Sequence, residues 1–290
     1  MLTAIANPLP ATMDAPAADR YFTVDGARLR YRDEGSGPAV LLVHGWSLDL
    51  EMWNALAAAL RDEFRVVRLD RRGFGLSSGR PSLGRDIADL NALWRHLALG
   101  PVALLGMSQG ARAVLGLATA TDRRTSCLVL DGPPDLERGP VSDDRDGDVP
   151  LAHYSALVRT RGIDAVRREW ATHPLMQLRT DDHNARQLLN AIIGRYPGND
   201  LLESAAEAAA DTGPLPARVR PESIATPVLV ITGEHDLERR VKAADILAQR
   251  FSSAERAVVA DAGHLPNLDN PIAYNNLVRA FLKRHATASI

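Results

Sequence analysis

Four short apolar runs constrain the fold of this chain more than any other feature. They are "PAVLLVHG" (38–45), "VALLG" (102–106), "SCLVLDG" (126–132) and "VLVITG" (228–233). A strand with one wet face alternates apolar and polar residues. Runs that stay apolar throughout belong to strands buried on both faces, as in a parallel sheet covered by helices. Stretches of helical period separate them: "EMWNALAAALRD" (51–62), "DIADLNALWRHLAL" (86–99) and "ARAVLGLATA" (111–120). The alternation predicts an α/β fold. "YFTVDGARLRYRDEG" (21–35) adds two strands around a turn at Asp25-Gly26, "FRVVRLD" (64–70) adds another, and "RAVVAD" (256–261) is the last. A helix is expected at roughly 238–250, and "PIAYNNLVRAFLKRH" reads as the closing one.

The alternation stops after Pro134. A polar, acidic stretch follows, then helical sequence from about 151 to 211, before "PLPARVRPESIATP" returns the chain to the sheet. The expected layout is a loose N-terminal tail (1–20), a core made of 21–133 and 217–290, and a helical cap (134–216). An insertion at strand ends is well sited to cover a pocket there. The 290 residues suffice for a large core without metal or disulfide. A net charge of −2 gives no case for nucleic acid or a membrane surface, and no stretch approaches the ~20 apolar residues of a membrane span. The single cysteine, Cys127, reads as a buried thiol and fits a cytoplasmic compartment.

Within "ALLGMSQGARAV" (103–114), Ser108 stands between a strand and a helix in a G-x-S-x-G pattern. So short a reversal forces a strained backbone at the serine, and small neighbours allow it. The hydroxyl then sits at a helix N-terminus, where free N–H groups favour an oxygen that becomes negative during reaction. That makes Ser108 a candidate nucleophile, with a helix N-cap as the plainer reading.

A serine nucleophile needs a base and a group to orient it. His264, in "ADAGHLPNLDNP", follows the last strand and is the candidate base among eight histidines. Two acids compete for the third place. Asp236 in "TGEHDLE" is favoured, because its strand comes next before that of His264; Asp131 in "LVLDGPP" also follows a strand. Glu234 reads as structural or pocket-lining. The oxyanion donors are assigned to the backbone N–H groups of Gln109 and Trp46, each worth ~10² in rate. His44 is expected to brace the loop that carries Trp46. Trp46, Met107, Trp170, His173, Met176 and Leu265 are candidates to line a pocket. Arg159, Arg161, Arg167 and Arg168 read as a solvated helix face; one pointing inward would suit a carboxylate-bearing substrate.

From about Tyr21 to Leu282 the chain resembles the α/β-hydrolase superfamily. "VHGW", "LDRRGFGLSS", "GMSQG", "TGEHD" and "AGHLPNLDNP" occur in that family's order, and "HGWSLDLEMW" with "DRRGFGLSS" is similar to its esterase and enol-lactonase branch. The family often has Gly-Gly after the elbow; here it is Gly110-Ala111. The resemblance implies a mostly parallel eight-stranded sheet with a lid after strand six. It also implies a serine hydrolase for a small ester or lactone, with no cofactor and no metal. A C–C bond hydrolase of diketones would use the same residues, and a ligand-sensing protein could share the fold. A serine, not a carboxylate, at the elbow argues against dehalogenase and epoxide hydrolase chemistry. A homodimer stays open.

Overall fold

The computed structural model describes residues 17–120, 125–135, 148–202 and 221–286. Most of the expected tail and parts of the expected cap, including the acidic stretch 136–147 and residues 203–216, lie outside them. An eight-stranded sheet forms the centre, in the order β1-β2-β4-β3-β5-β6-β7-β8. The strands are β1 (Arg20–Val24), β2 (Ala27–Glu34), β3 (Ala39–Val43), β4 (Arg65–Leu69), β5 (Val102–Met107), β6 (Thr125–Asp131), β7 (Val228–Gly233) and β8 (Ala254–Val259). β2 runs antiparallel to β1 and β4, and every other pairing is parallel. β1 starts at Arg20, one residue inside the expected tail, and Asp19 before it pairs with Arg30 and Arg32.

The apolar runs are buried on both faces. Val40, Leu42, Leu105, Val129 and Ile231 point to one side; Leu41, Val43, Leu104, Leu130 and Val230 point to the other. The first side packs against α1 (Asn54–Leu60) and α9 (Pro271–His285), the second against α2 (Leu83–His96), α3 (Gln109–Ala120) and α7 (Glu238–Arg250). Local signals set the helix ends. Ser82 caps α2 by accepting from the Arg85 N–H, and Asn270 caps α9 ahead of Pro271 in its first turn. β8, at the sheet edge, is half exposed, with Val258 at the surface.

Between β6 and β7 the described residues form α4 (Leu151–Arg161), α5 (Ile163–Trp170) and α6 (His183–Arg195), with short 3₁₀ turns and no strand. These helices share the first core through Tyr154, Val166, Trp170, Leu189 and Ile192. A short helix, α8 (Pro266–Asp269), joins β8 to α9. Among the described residues no helix is long and apolar enough to cross a membrane.

Candidate active site

The carboxyl ends of β3, β5, β6, β7 and β8 bring the sequence-predicted residues to one edge of the sheet. Ser108 lies between β5 and α3 with φ +52°. A side chain in that left-handed region costs about 1–3 kcal/mol, so the surroundings must hold it. The Ser108 N–H donates to the Asp131 carbonyl at 2.7 Å, anchoring the turn to β6. On the other side, a Cβ on Gly110 would meet the Val43 carbonyl at 2.4 Å, so only glycine lets α3 approach β3 this closely. The serine that results is buried, 9% exposed.

His264 and Asp236 are bonded. The His264 Nδ1–H donates to Asp236 Oδ2 at 2.9 Å, and both side chains are almost fully buried. Burial alone would push Asp236 upward. The His264 charge and hydrogen bond, helped by Arg240, outweigh it and hold the carboxyl below its ordinary range. The ring of His264 lies against Gly132: a Cβ there would sit 2.8 Å from its Cε1, and Gly132 has φ +50°. Any other residue after β6 would displace the imidazole.

Asp131 points elsewhere. It accepts the Tyr274 hydroxyl at 2.9 Å and is fully buried. Burial, with repulsion from Asp236, raises it well above the usual carboxylate range despite the Tyr274 bond. The structure thus gives His264 one carboxylate, Asp236, and gives Asp131 to α9. Glu234 is exposed and accepts the Asp261 N–H at 3.0 Å. Among the described residues, Glu234, His235 and Asp261 form the one grouping with metal-ligating atoms close together; all three are exposed.

The loop after β3 packs on the serine turn. A Cβ on Gly45 would lie 3.2 Å from Ser108 Cβ, which places the backbone carrying Trp46 beside the candidate nucleophile. The loop is held from below and above. Below, His44 donates through Nδ1–H to the Gly45 carbonyl at 2.7 Å and accepts the Arg71 N–H at Nε2, 2.9 Å. Above, Trp170, Asp200 and Arg195 of the intervening segment grip Ser47, Trp46 and Asp49 of the loop. The Trp170 indole N–H donates to Ser47 Oγ at 2.7 Å, and Ser47 is itself at φ +62°. The Trp46 indole N–H donates to Asp200 Oδ2 at 2.6 Å, and Asp200 also accepts the Tyr196 hydroxyl at 2.6 Å. Arg195 donates to Asp49 at 2.9 Å.

His44 carries a pH prediction. Full burial, then the Arg71 charge, press its pKa down to about 3 despite the Gly45 bond. Its ordinary value is ~6.5, so the unfolded chain binds a proton that the folded chain refuses. The stability this contributes is complete above pH ~6.5 and is lost as pH falls toward 3. The His44 share of stability should therefore fall between pH 6.5 and 5.5, against the opposite share of Asp70, which burial raises to about 6, and of Asp131. It is read as the difference in slope, the wild type losing more melting temperature on acidification than His44→Gln. An unchanged slope in His44→Gln would refute the assignment.

The pocket candidates divide. Trp46, Trp170, Tyr154 and Tyr196 form one aromatic cluster, with Trp46 and Trp170 rings 4.8 Å apart. Met107, Met176 and Leu265 are buried in the same core. His173 is half-buried and stacks on Trp170 at 4.6 Å. Burial, followed by the nearby charges of His264 and Arg240, lowers its pKa, which places it in electrostatic reach of the site. Arg159, Arg161 and Arg168 are exposed, and Arg167 donates to the Tyr196 carbonyl. Cys127 is buried, its thiol pushed up by burial to about 12.

Four residues at this edge escape a reading of the sequence: Gly132, Tyr196, Asp200 and Arg240. Gly132 stands directly after a strand, which is a usable signal. Arg240 is the least expected. It is 4% exposed, and its Nη1 reaches Ser108 Oγ at 3.4 Å and donates to the Gly132 carbonyl at 3.0 Å.

A strained serine on a strand-to-helix turn, with a bonded His–Asp pair from the last two strands of a mostly parallel sheet, defines a class. Residues 38–271 match the family described by the alpha/beta hydrolase fold, and the chain belongs to it. Over 268 residues it is 28% identical to the putative 2-succinyl-6-hydroxy-2,4-cyclohexadiene-1-carboxylate synthase of Bacillus subtilis, covering 89% of this chain and 96% of the relative. The 3-oxoadipate enol-lactonase 2 of Acinetobacter baylyi is 26% identical, with 90% and 96% covered. A malate-bound esterase from Thermogutta terrifontis superposes with a TM-score of 0.75 at 26% identity, over 92% of this chain and 99% of the esterase.

Proposed function

We propose that this hydrolase cleaves a small carboxylic ester or lactone through an acyl-enzyme on Ser108. The observation that carries the reading is the Ser108 turn itself: a hydroxyl fixed at φ +52° at the start of α3, on the same edge as the bonded His264–Asp236 pair. An enol-lactonase and an esterase among the relatives support the ester or lactone class.

In this reading His264 takes the proton from Ser108 as Oγ attacks the carbonyl carbon. The N–H groups of Trp46 and Gln109 receive the oxyanion, each worth ~10² in rate. The tetrahedral intermediate collapses, His264 returns the proton to the leaving alcohol, and the acyl group stays on Oγ. A water deprotonated by His264 attacks next, and the acid departs. Asp236 holds the imidazole in the Nδ1–H tautomer and offsets the charge it gains. The helices between β6 and β7 act as a cap. Their bonds to Trp46, Ser47 and Asp49 couple cap seating to the loop that supplies one oxyanion donor.

Turnover of p-nitrophenyl acetate and butyrate tests the reading. Hydrolysis of both is expected. Cleavage of a vinylogous diketone with no ester turnover would shift the chemistry to C–C hydrolysis, which the same residues can serve. Binding of small esters with no turnover of either class would make the chain a ligand sensor.

A further inference from the structure

Ester hydrolysis by the groups just described needs no cation against the nucleophile. The developing oxyanion faces backbone N–H groups, and a fixed positive charge near His264 opposes the imidazolium that forms when it takes the Ser108 proton. Yet the Arg240 guanidinium is buried with Nη1 at 3.4 Å from Ser108 Oγ. Its Nε side meets Asp148, a carboxylate that it shares with Arg239. Asp236, the other acid in reach, is bonded to His264. Arg112, on α3, adds to the positive field, since burial and then Arg240 depress it. Arginine stays ionised at neutral pH, and its planar fork matches a carboxylate.

We propose that Arg240 is a substrate-binding residue: it receives a free carboxylate on the substrate, so that the site selects half-esters or lactones of short-chain dicarboxylic acids over neutral esters. This rests on the reading of Ser108 as the nucleophile. Because Nη1 lies beside Oγ, and Oγ bonds the carbonyl carbon, the carboxylate must be close to the scissile group. The substrate oxygen takes over the hydrogen bond that Arg240 now gives to Ser108. That exchange frees the hydroxyl for attack and neutralises the charge opposing His264. The arginines singled out on the helices between β6 and β7 lie outside this arrangement; the cation comes from α7.

Monoethyl succinate and ethyl butyrate form the test pair, equal in acyl chain length and differing in one carboxylate. Ethanol release gives kcat/KM for the wild type, Arg240→Gln and Arg240→Lys. The wild type should favour monoethyl succinate by at least about tenfold, from the worth of a charged hydrogen bond in a buried site. Arg240→Gln should remove that preference, and Arg240→Lys should restore part of it. A purely structural role would lower both esters in parallel and leave the ratio unchanged, which would overturn the proposal, as would a wild type that favours ethyl butyrate. Calorimetric titration of succinate into wild type and Arg240→Gln decides the matter without turnover: binding at least about tenfold weaker in the variant supports it, equal binding refutes it. If wild type hydrolyses neither ester, the hydrolase reading fails while the titration still judges Arg240.

Discussion

Ser108→Ala should abolish ester turnover, lowering kcat by about 10⁴- to 10⁶-fold while the fold persists. The expectation is large because, in the proposed reaction, Oγ forms the acyl bond and no described neighbour takes its place. Cys127 is buried and its thiol is pushed up to about 12, so it offers no thiolate. What activity remains should come from the oxyanion donors acting on a water. Alanine also keeps the small side chain that the turn at φ +52° accommodates. The variant should therefore melt within a few degrees of the wild type. Matched melting curves separate a chemical loss from a folding loss. Undiminished turnover in a folded Ser108→Ala protein would remove Ser108 from the chemistry.

Asp236→Asn and Asp131→Asn should part company. Asp236→Asn should lower kcat about 10⁴-fold, because an amide can hold the imidazole in the wrong tautomer and provides no charge for the imidazolium. Asp131 accepts from Tyr274 at 2.9 Å and gives nothing to His264. Asparagine in its place keeps an acceptor for that hydroxyl, so kcat should stay within about tenfold of wild type. Steady-state kinetics of the two variants on p-nitrophenyl butyrate checks both. A greater loss in Asp131→Asn would move the orienting acid to β6.

The architecture is legible in the sequence because parallel strands announce themselves. Runs such as "AVLLV" have no polar face, and the observed β3 is buried at every position. The serine turn is legible from its context: glycine, serine and glycine recur often by chance, but here they stand between a continuously apolar strand and a helical stretch. Helix starts are less so. α3 begins at Gln109, two residues before the predicted start, because Gly110 reads as a breaker in sequence but serves close packing in the fold. The choice between Asp131 and Asp236 rests on which way each side chain leaves its strand end. Tyr274, far along the chain, takes the Asp131 side chain, while Asp236 bonds His264. The sequence offers Trp46 as a pocket-lining residue, and its indole N–H bond to Asp200 ties it into the aromatic cluster. Arg240 is hidden for a similar reason. An arginine in the first turns of an amphipathic helix looks solvent-facing, and nothing local says that its side chain lies under a neighbouring loop.

The most direct measurement of the central claim is rapid-quench mass spectrometry of the protein mixed with p-nitrophenyl butyrate. One butyryl group should appear on the peptide containing Ser108, in step with a burst of p-nitrophenol, and should be absent in Ser108→Ala. Turnover with no acyl adduct, or with the adduct on another residue, would contradict the account.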